Sequence, residues 1–387
     1  MSSEFLPGPS ANSESIPAEK AIGRRFRTRG FLPGVDPLIS FPPGGEFAFL
    51  DEIGRDLPSL LYDRRFRTYA QSLDIPLWPL DRMHPEDLPA LRLYYVRVGF
   101  LVSAYVNQVG ELPARTVPVN LAAPLCRACQ LLRRPPILSY DGYALYNWKR
   151  FRKDEPIALG NIDTIQNFVH LYDEHWFILV HIEIEAIAAR ILDAIARAEI
   201  AQAKSDEGLF DRCLDDIAEA IRNQVSVLRR IPEHMDSTLY HRTFRPYIRF
   251  FENVTYEGFE RTGTISMNFR GETGAQSAII PALVAFMKIP HRASVLTDYL
   301  ADMRNYMPFE HRLLIERVEA MPPIRGQASK EPFNAVLEAI AEFRSIHYGW
   351  AQEYINRWTA DPRGTGGTPY MQWLNQLIDE TRSFKIS

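Results

Sequence analysis

Apolar residues recur along much of this chain at alternating three- and four-residue steps, the spacing that gathers side chains onto one face of an α-helix. Val336, Ile340, Phe343, His347, Trp350 and Tyr354 form one such stripe. Phe177, His181, Ile184, Ala188, Ile191 and Ile195 form a second and predict a long helix over about Glu174–Ala203. Similar faces predict helices over Leu57–Leu73, Asp87–Val109 and about Leu209–Arg230. Residues 30–58 are rich in proline and glycine, which predicts an irregular lead-in. No repeat of 20–50 residues is present, so a solenoid is excluded. The pattern as a whole predicts a mainly α chain.

Each long stripe carries one imidazole, His347 or His181. A buried imidazole must hydrogen-bond a neighbour or bind something, because an unpaired polar group in apolar surroundings costs about 1–3 kcal/mol. A satisfied core histidine and a ligand to a bound group are both open readings at this level. Downstream of His347 the run Gly364, Thr365, Gly366, Gly367 and Thr368 is too flexible to be a packing element and offers many backbone N–H donors. An imidazole on a buried helix followed by such a loop is one way to encode a haem ligand and a closing lid. Non-haem di-iron bundles use Glu-x-x-His pairs, and those are absent.

With 387 residues, 46% hydrophobic, the chain can bury a large core and is long enough for two domains. A net charge of -4 gives no electrostatic case for nucleic acid or an anionic membrane. The cluster Arg24, Arg25, Arg27 and Arg29 reads as a solvated segment. Tyr240–Phe259 interleaves seven aromatics with His241, Arg242, Arg245 and Arg249, which on a chain of this charge predicts a pocket wall rather than a strand-stacking surface. Three cysteines, Cys126, Cys129 and Cys213, do not make a secreted disulfide framework. Cys126 and Cys129 spell C-x-x-C without a second pair to complete a zinc site. The first twenty residues lack an apolar signal core, and the apolar run Ala278–Met287 is too short to cross a bilayer. A cytoplasmic location is the expectation.

Several strings resemble one family. RSIHYGWAQEYI at Arg344–Ile355 and RGTGGTPYM at Arg363–Met371 look like the proximal-histidine helix and closing loop of the indoleamine 2,3-dioxygenase family. PPILSYDGYALYNWK at Pro135–Lys149, FRGETGAQSAIIPALVAFMKI at Phe269–Ile289 and DMRNYMPFEHR at Asp302–Arg312 resemble further segments of it. The resemblance covers roughly Val117 to Trp373.

The resemblance implies a mainly α, two-domain indoleamine 2,3-dioxygenase-like fold. Residues 1–30 would be a disordered or irregular tail, 31–165 a small, mostly helical domain roofing the distal pocket, and 166–387 a large all-helical haem domain. It implies haem b ligated by His347, with Arg344 one turn earlier facing a propionate. Tyr140, Tyr143 and Phe177 would look into the distal pocket. Phe244 would stack the substrate and Arg249 would grip its carboxylate through paired hydrogen bonds. Gly274, Thr365, Gly366 and Gly367 would complete the substrate contacts. His181 stands where animal members carry serine, and the sister tryptophan 2,3-dioxygenase family places a histidine on that side; a role in orienting the substrate or tuning the reaction follows. Glu252, Glu272 and Thr273 depart from the apolar or smaller residues of the family. The implied activity is O2-dependent cleavage of the indole C2–C3 bond of L-tryptophan or a related indoleamine, by a monomer served by an electron donor that keeps the haem ferrous. A haem-dependent monooxygenase of an indole derivative and a non-catalytic haem-binding or sensing protein are the alternatives.

Overall fold

The computed structural model describes residues 22–258, 266–359, 363–365, 367 and 370–387. Helices dominate. In chain order they are α1 (Arg24–Arg29), α2 (Phe49–Tyr62), α3 (Phe66–Gln71), α4 (Leu88–Val106), α5 (Val119–Leu131), α6 (Tyr172–Lys204) and α7 (Glu207–Leu228). After the single turn α8 (Ser237–Leu239) come α9 (Ile279–Met287), α10 (Val295–Arg304), α11 (Phe309–Glu319), α12 (Lys330–Tyr354) and α13 (Tyr370–Ser383).

Apolar residues gather in two clusters, and α6 lies between them. Ile178, Leu179 and Ile182 join the first, built on α2–α5 and the segment around Tyr143. Trp176, Val180, Ile184 and Ala188 join the second, built with α7, α9, α11 and α12. A helix packed on both sides must be apolar on both, which is why α6 carries more than one buried stripe. Asp173 and Glu174 in its first turn and Lys204 in its last oppose the helix dipole. Ser205, left-handed at φ 54°, ends α6, and the Asp206 side chain accepts from Leu209 N to start α7. On α12, Val336, Leu337 and Ile340 are fully buried, each worth about 1.5–3 kcal/mol of burial.

The strands are few and serve as clamps. β1 (Thr116–Val117) runs parallel to β4 (Phe251–Tyr256), which pairs antiparallel with β5 (Met267–Phe269). β2 (Trp148–Arg150) pairs antiparallel with β3 (Ile162–Thr164). The β4–β5 pair, through Phe251 opposite Phe269, holds residues 245–250 beside residues 270–277.

Three expectations need correction. Arg24–Arg29, read as part of an irregular tail, is helical and packs on α6, with Arg27 paired to Asp193 at 2.7 Å and Arg29 to Asp36 at 2.7 Å. Gly30 follows at φ +61°, where a Cβ would lie 2.1 Å from the Glu185 carbonyl oxygen, so the chain crosses α6 without a side chain. Helix α2 begins at Phe49, inside the stretch expected to be irregular, and carries Pro58 in its interior. The helix expected over Leu57–Leu73 is two helices, because Arg64 adopts φ 56° between them. Cys126 and Cys129 lie buried on α5, and burial pushes the Cys129 thiol up to about 12, far from reactive. No helix among the described residues is long and apolar enough to cross a membrane.

Candidate active site

The α12 stripe changes function along its length. Val336 and Ile340 pack in the core, whereas Phe343, His347, Trp350 and Tyr354 line a cavity of about 450 Å3. That volume lies within the ~300–1,000 Å3 of small-molecule sites. The remaining wall comes from α6, α9, α10 and α13, the loop at residues 272–277, and Gly364 and Thr365. Its surface is mostly apolar, with polar groups confined to a few places.

His347 makes no hydrogen bond among the described residues. Its ring retains exposed surface although protein encloses it, because that surface opens into the cavity. Burial, with a smaller contribution from His181, holds its pKa down to about 4. The ring is therefore neutral near pH 7, the form that ligates a metal. His181 lines the same cavity from α6. Its Nδ1 lies 2.7 Å from the Phe177 carbonyl oxygen. A carbonyl only accepts, so Nδ1 carries the hydrogen, and burial keeps the ring neutral by lowering its pKa. Nε2 is then an acceptor.

Beside His181 lies an acidic wall. Tyr140, whose ring centroid is 5.9 Å from that of His181, donates its hydroxyl to Glu185 Oε1 at 2.8 Å. Ser277 donates to the same oxygen at 2.6 Å, and Glu185 Oε2 has no partner. Glu272, 3% exposed, also lines the cavity, and among the described residues its carboxyl has no hydrogen-bond partner. The Gln276 carboxamide braces this wall, accepting from Tyr140 N at 2.9 Å and donating to Gly271 O at 2.9 Å. Desolvation pushes Glu185 up to about 7 and Glu272 up to about 8 from an ordinary 4.5.

Raised carboxyl pKa values favour the protonated folded state. The stability they contribute is complete below about pH 4.5 and is lost as pH rises through 7 and 8. Glu272→Gln, which cannot ionise, is expected to gain on the parent by a few kcal/mol between pH 5 and pH 9, because each tenfold change in proton affinity on folding is worth ~1.4 kcal/mol. Urea unfolding at both pH values checks this, and an equal difference at the two refutes it.

A basic rim closes the α13 side. Arg344 is 5% exposed and donates to Leu377 O at 2.8 Å and to Thr381 Oγ1. It has no ion-pair partner among the described residues, while Glu380 nearby is taken by His291 at 2.6 Å. A buried guanidinium without a carboxylate suits an anionic group at the cavity edge. Among the described residues no three His, Cys, Asp or Glu side chains converge as a metal site. An iron at His347 would need most of its ligands from a non-protein group, as a porphyrin supplies. The partnerless imidazole, the apolar cavity and the unpaired Arg344 thus fit haem and its propionates.

The substrate residues expected from sequence are distributed unevenly. Tyr140, Phe177, Gly274 and Thr365 line the cavity. Tyr143 does not: it stacks on Phe100 and Phe168 and donates to Glu174 Oε1 at 3.1 Å. Phe244 is fully buried behind Tyr240, their ring centroids 5.2 Å apart, and Tyr240 is the one on the wall. Arg249 lies over the Phe250 ring and lines a separate cavity of about 60 Å3. Glu252 is not in the main cavity either; it pairs with Arg363 at 2.5 Å. Gly367 N donates to Gly364 O at 2.9 Å, and Thr365 O accepts from Phe250 N at 2.9 Å. Gly366 and Thr368 lie outside the described residues.

Arg245, four residues before Arg249, also lies off the cavity wall. It is 5% exposed, its Nη2 donates to Arg363 O at 3.3 Å, and its Nε has no partner. It therefore sits against the loop that reaches the cavity through Gly364 and Thr365. It follows the π-helical turn Tyr240–Phe244, in which Arg245 N donates to Tyr240 O at 3.1 Å.

The family model described as "Indoleamine 2,3-dioxygenase" matches residues 26–359. The indoleamine 2,3-dioxygenase of Saccharomyces cerevisiae is 30% identical, with 91% of this chain and 90% of the relative covered. Indoleamine 2,3-dioxygenase 1 of Rattus norvegicus is 26% identical over 87% of this chain and 88% of the relative. A 6-hydroxytryptophan 2,3-dioxygenase of Fusarium equiseti is 26% identical over 91% of this chain and 94% of the relative. A match over most of the chain, together with a helical fold whose late-helix imidazole lines a cavity, makes this chain a dioxygenase that belongs to the indoleamine 2,3-dioxygenase family.

Proposed function

We propose that this enzyme is haem-dependent and opens the C2–C3 bond of L-tryptophan or a related indoleamine with O2, giving an N-formylkynurenine-type product. The observation that carries the reading is His347: a neutral imidazole without a hydrogen-bond partner among the described residues, on the wall of a mostly apolar cavity that His181 also lines. Haem b, held by His347 with Arg344 at a propionate, supplies when bound the redox-active iron at which O2 reacts, and an electron donor keeps it ferrous.

The chain's own residues place the indole. His181 Nε2 accepts the indole N–H, which orients the ring edge without removing its proton. Phe177 and Tyr240 flank the ring as aromatic walls. Neither Arg245 nor Arg249 lines the main cavity; Arg245 is assigned the substrate carboxylate because it is buried, keeps a free Nε and abuts, at Arg363, the segment that reaches the cavity through Gly364 and Thr365. Gly364 and Thr365, on the cavity wall, cover the amino-acid end and exclude water. Residues 31–165 contribute the distal roof through Tyr140, and residues 166–387 form the haem-bearing domain. The enzyme works as a cytoplasmic monomer on a small-molecule substrate.

The decisive experiment supplies the reduced, haem-loaded protein with L-tryptophan and doubly labelled O2 and weighs the product. Two labelled atoms are expected; one or none overturns the reading. In the same assay Arg245→Ala is expected to raise KM for L-tryptophan at least tenfold, since a hydrogen bond to a charged group is worth about 1.5–3 kcal/mol. Arg249→Ala is expected to stay within about twofold. The reverse order would return the carboxylate to Arg249.

A further inference from the structure

The buried titratable groups and hydroxyls around His181 and His347 have uses in the arrangement described, with one exception. His347 and Arg344 suit haem, His181 suits an indole N–H, and Tyr140 and Ser277 are committed to Glu185. The exception is Glu272. Its backbone N–H donates to Ile248 O at 3.0 Å, so its position is fixed by the main chain. Its carboxyl is enclosed, lines the cavity and has no hydrogen-bond partner among the described residues. A buried carboxyl left unpaired costs free energy that a bound partner can recover.

We propose that Glu272 is a specificity residue that hydrogen-bonds a hydroxyl on the benzo ring of the substrate, so that this enzyme prefers ring-hydroxylated tryptophans to tryptophan itself. The proposal rests on the indole-dioxygenase reading and adds a substrate class to it. Three observations support it.

First, Glu272 belongs to the wall that would meet the indole ring. Its neighbour Gly271 is tied to Tyr140 through the Gln276 carboxamide, and the Tyr140 ring is edge-on to His181. An indole whose N–H points at His181 turns its fused benzo carbons along that same wall. Second, the substrate's ammonium is a poor match. Burial is the one cause acting on Glu272, and it holds the carboxyl protonated near pH 7, without a charge to attract a cation. A neutral carboxylic acid instead donates and accepts, as a phenol-type hydroxyl does. Third, the other carboxyl on this wall, Glu185, already receives two hydroxyl donors on one oxygen. The wall is thus chemically suited to hydroxyls.

A site built to bond a hydroxyl rejects the analogue lacking it, because its own polar group is then stranded. The test titrates the haem-loaded protein with L-tryptophan and with 5-, 6- and 7-hydroxytryptophan, reading dissociation constants from the change in haem absorption. At least one hydroxytryptophan is expected to bind tenfold or more tightly than L-tryptophan. Glu272→Leu is expected to collapse that difference, with Glu272→Gly as the replacement if the leucine variant does not fold. Glu272→Gln, which keeps a donor and an acceptor at the same reach, is expected to preserve most of it. Equal affinities in the parent protein, or an undiminished preference in the leucine or glycine variant, would overturn the assignment while tryptophan binding left the dioxygenase reading intact. Absence of any response to all four indoles would overturn both.

Discussion

Replacing His347 with alanine is expected to abolish haem uptake: hemin titrated into the variant should show no Soret band characteristic of an axial histidine, with affinity falling at least a hundredfold. The expectation follows from geometry. His347 is the imidazole on the α12 wall, its pKa near 4 keeps it unprotonated at neutral pH, and no hydrogen bond competes for its ring. For the same reason the variant should fold: the lost ring faces a cavity, so the stability of the haem-free protein in urea should change by less than about 1 kcal/mol, as for substitutions that break no buried network. His181→Ala provides the contrast, keeping haem and losing turnover. A His347→Ala protein with a normal haem spectrum would move the cofactor to another wall.

Gly271→Ala is the second large effect, and it acts on folding. A Cβ there would lie 2.4 Å from the Arg249 carbonyl carbon, 2.4 Å from Ile248 O and 2.5 Å from Phe250 N. All three are main-chain atoms, so no rotamer change relieves the clash. Overpacking usually costs about 1–3 kcal/mol, and backbone contacts on this scale should reach about 4. The loop at 271–277 must then lift off residues 248–250, carrying Glu272 and Gly274 away from the cavity. Gly274→Ala is the control, since nothing lies within 4 Å of its Cβ direction, and its cost should stay below about 1 kcal/mol. Chemical unfolding of the two variants measures both, and equal stability would mean the loop is seated differently.

Much of the helical frame was legible in the sequence because burial imposes a period. Phe343, His347, Trp350 and Tyr354 do share a face, as their spacing requires. What the period does not reveal is where that face leaves the core and meets empty volume, since apolar packing and an apolar cavity select the same residue types. Local backbone departures were invisible for a different reason. Tyr140 and Tyr143, three apart, would share one face of an α-helix, but Asp141–Leu145 is a π-helical turn, with Tyr146 N donating to Asp141 O at 2.9 Å. The added residue per turn rotates Tyr143 off the cavity. A second such turn, at Tyr240–Phe244, precedes the arginines, and Arg249 lies off the main cavity beside Phe250. The break at Arg64 belongs with these, because a left-handed non-glycine residue leaves little mark in composition. Glu272 was visible as a family departure, yet only its place on the wall gives it a chemical meaning.

The attachment of α13 carries one more implication. Arg344 spends its hydrogen bonds on Leu377 and Thr381, Asn334 exchanges two with Ile386, and Arg325 reaches Phe384 and Lys385. Residues 377–386 are thus a keystone for the helix that carries His347. Affinity tags and crosslinks belong at the opposite terminus, since anything that peels α13 away strips the buried Arg344 guanidinium of its acceptors and loosens the cavity wall from behind.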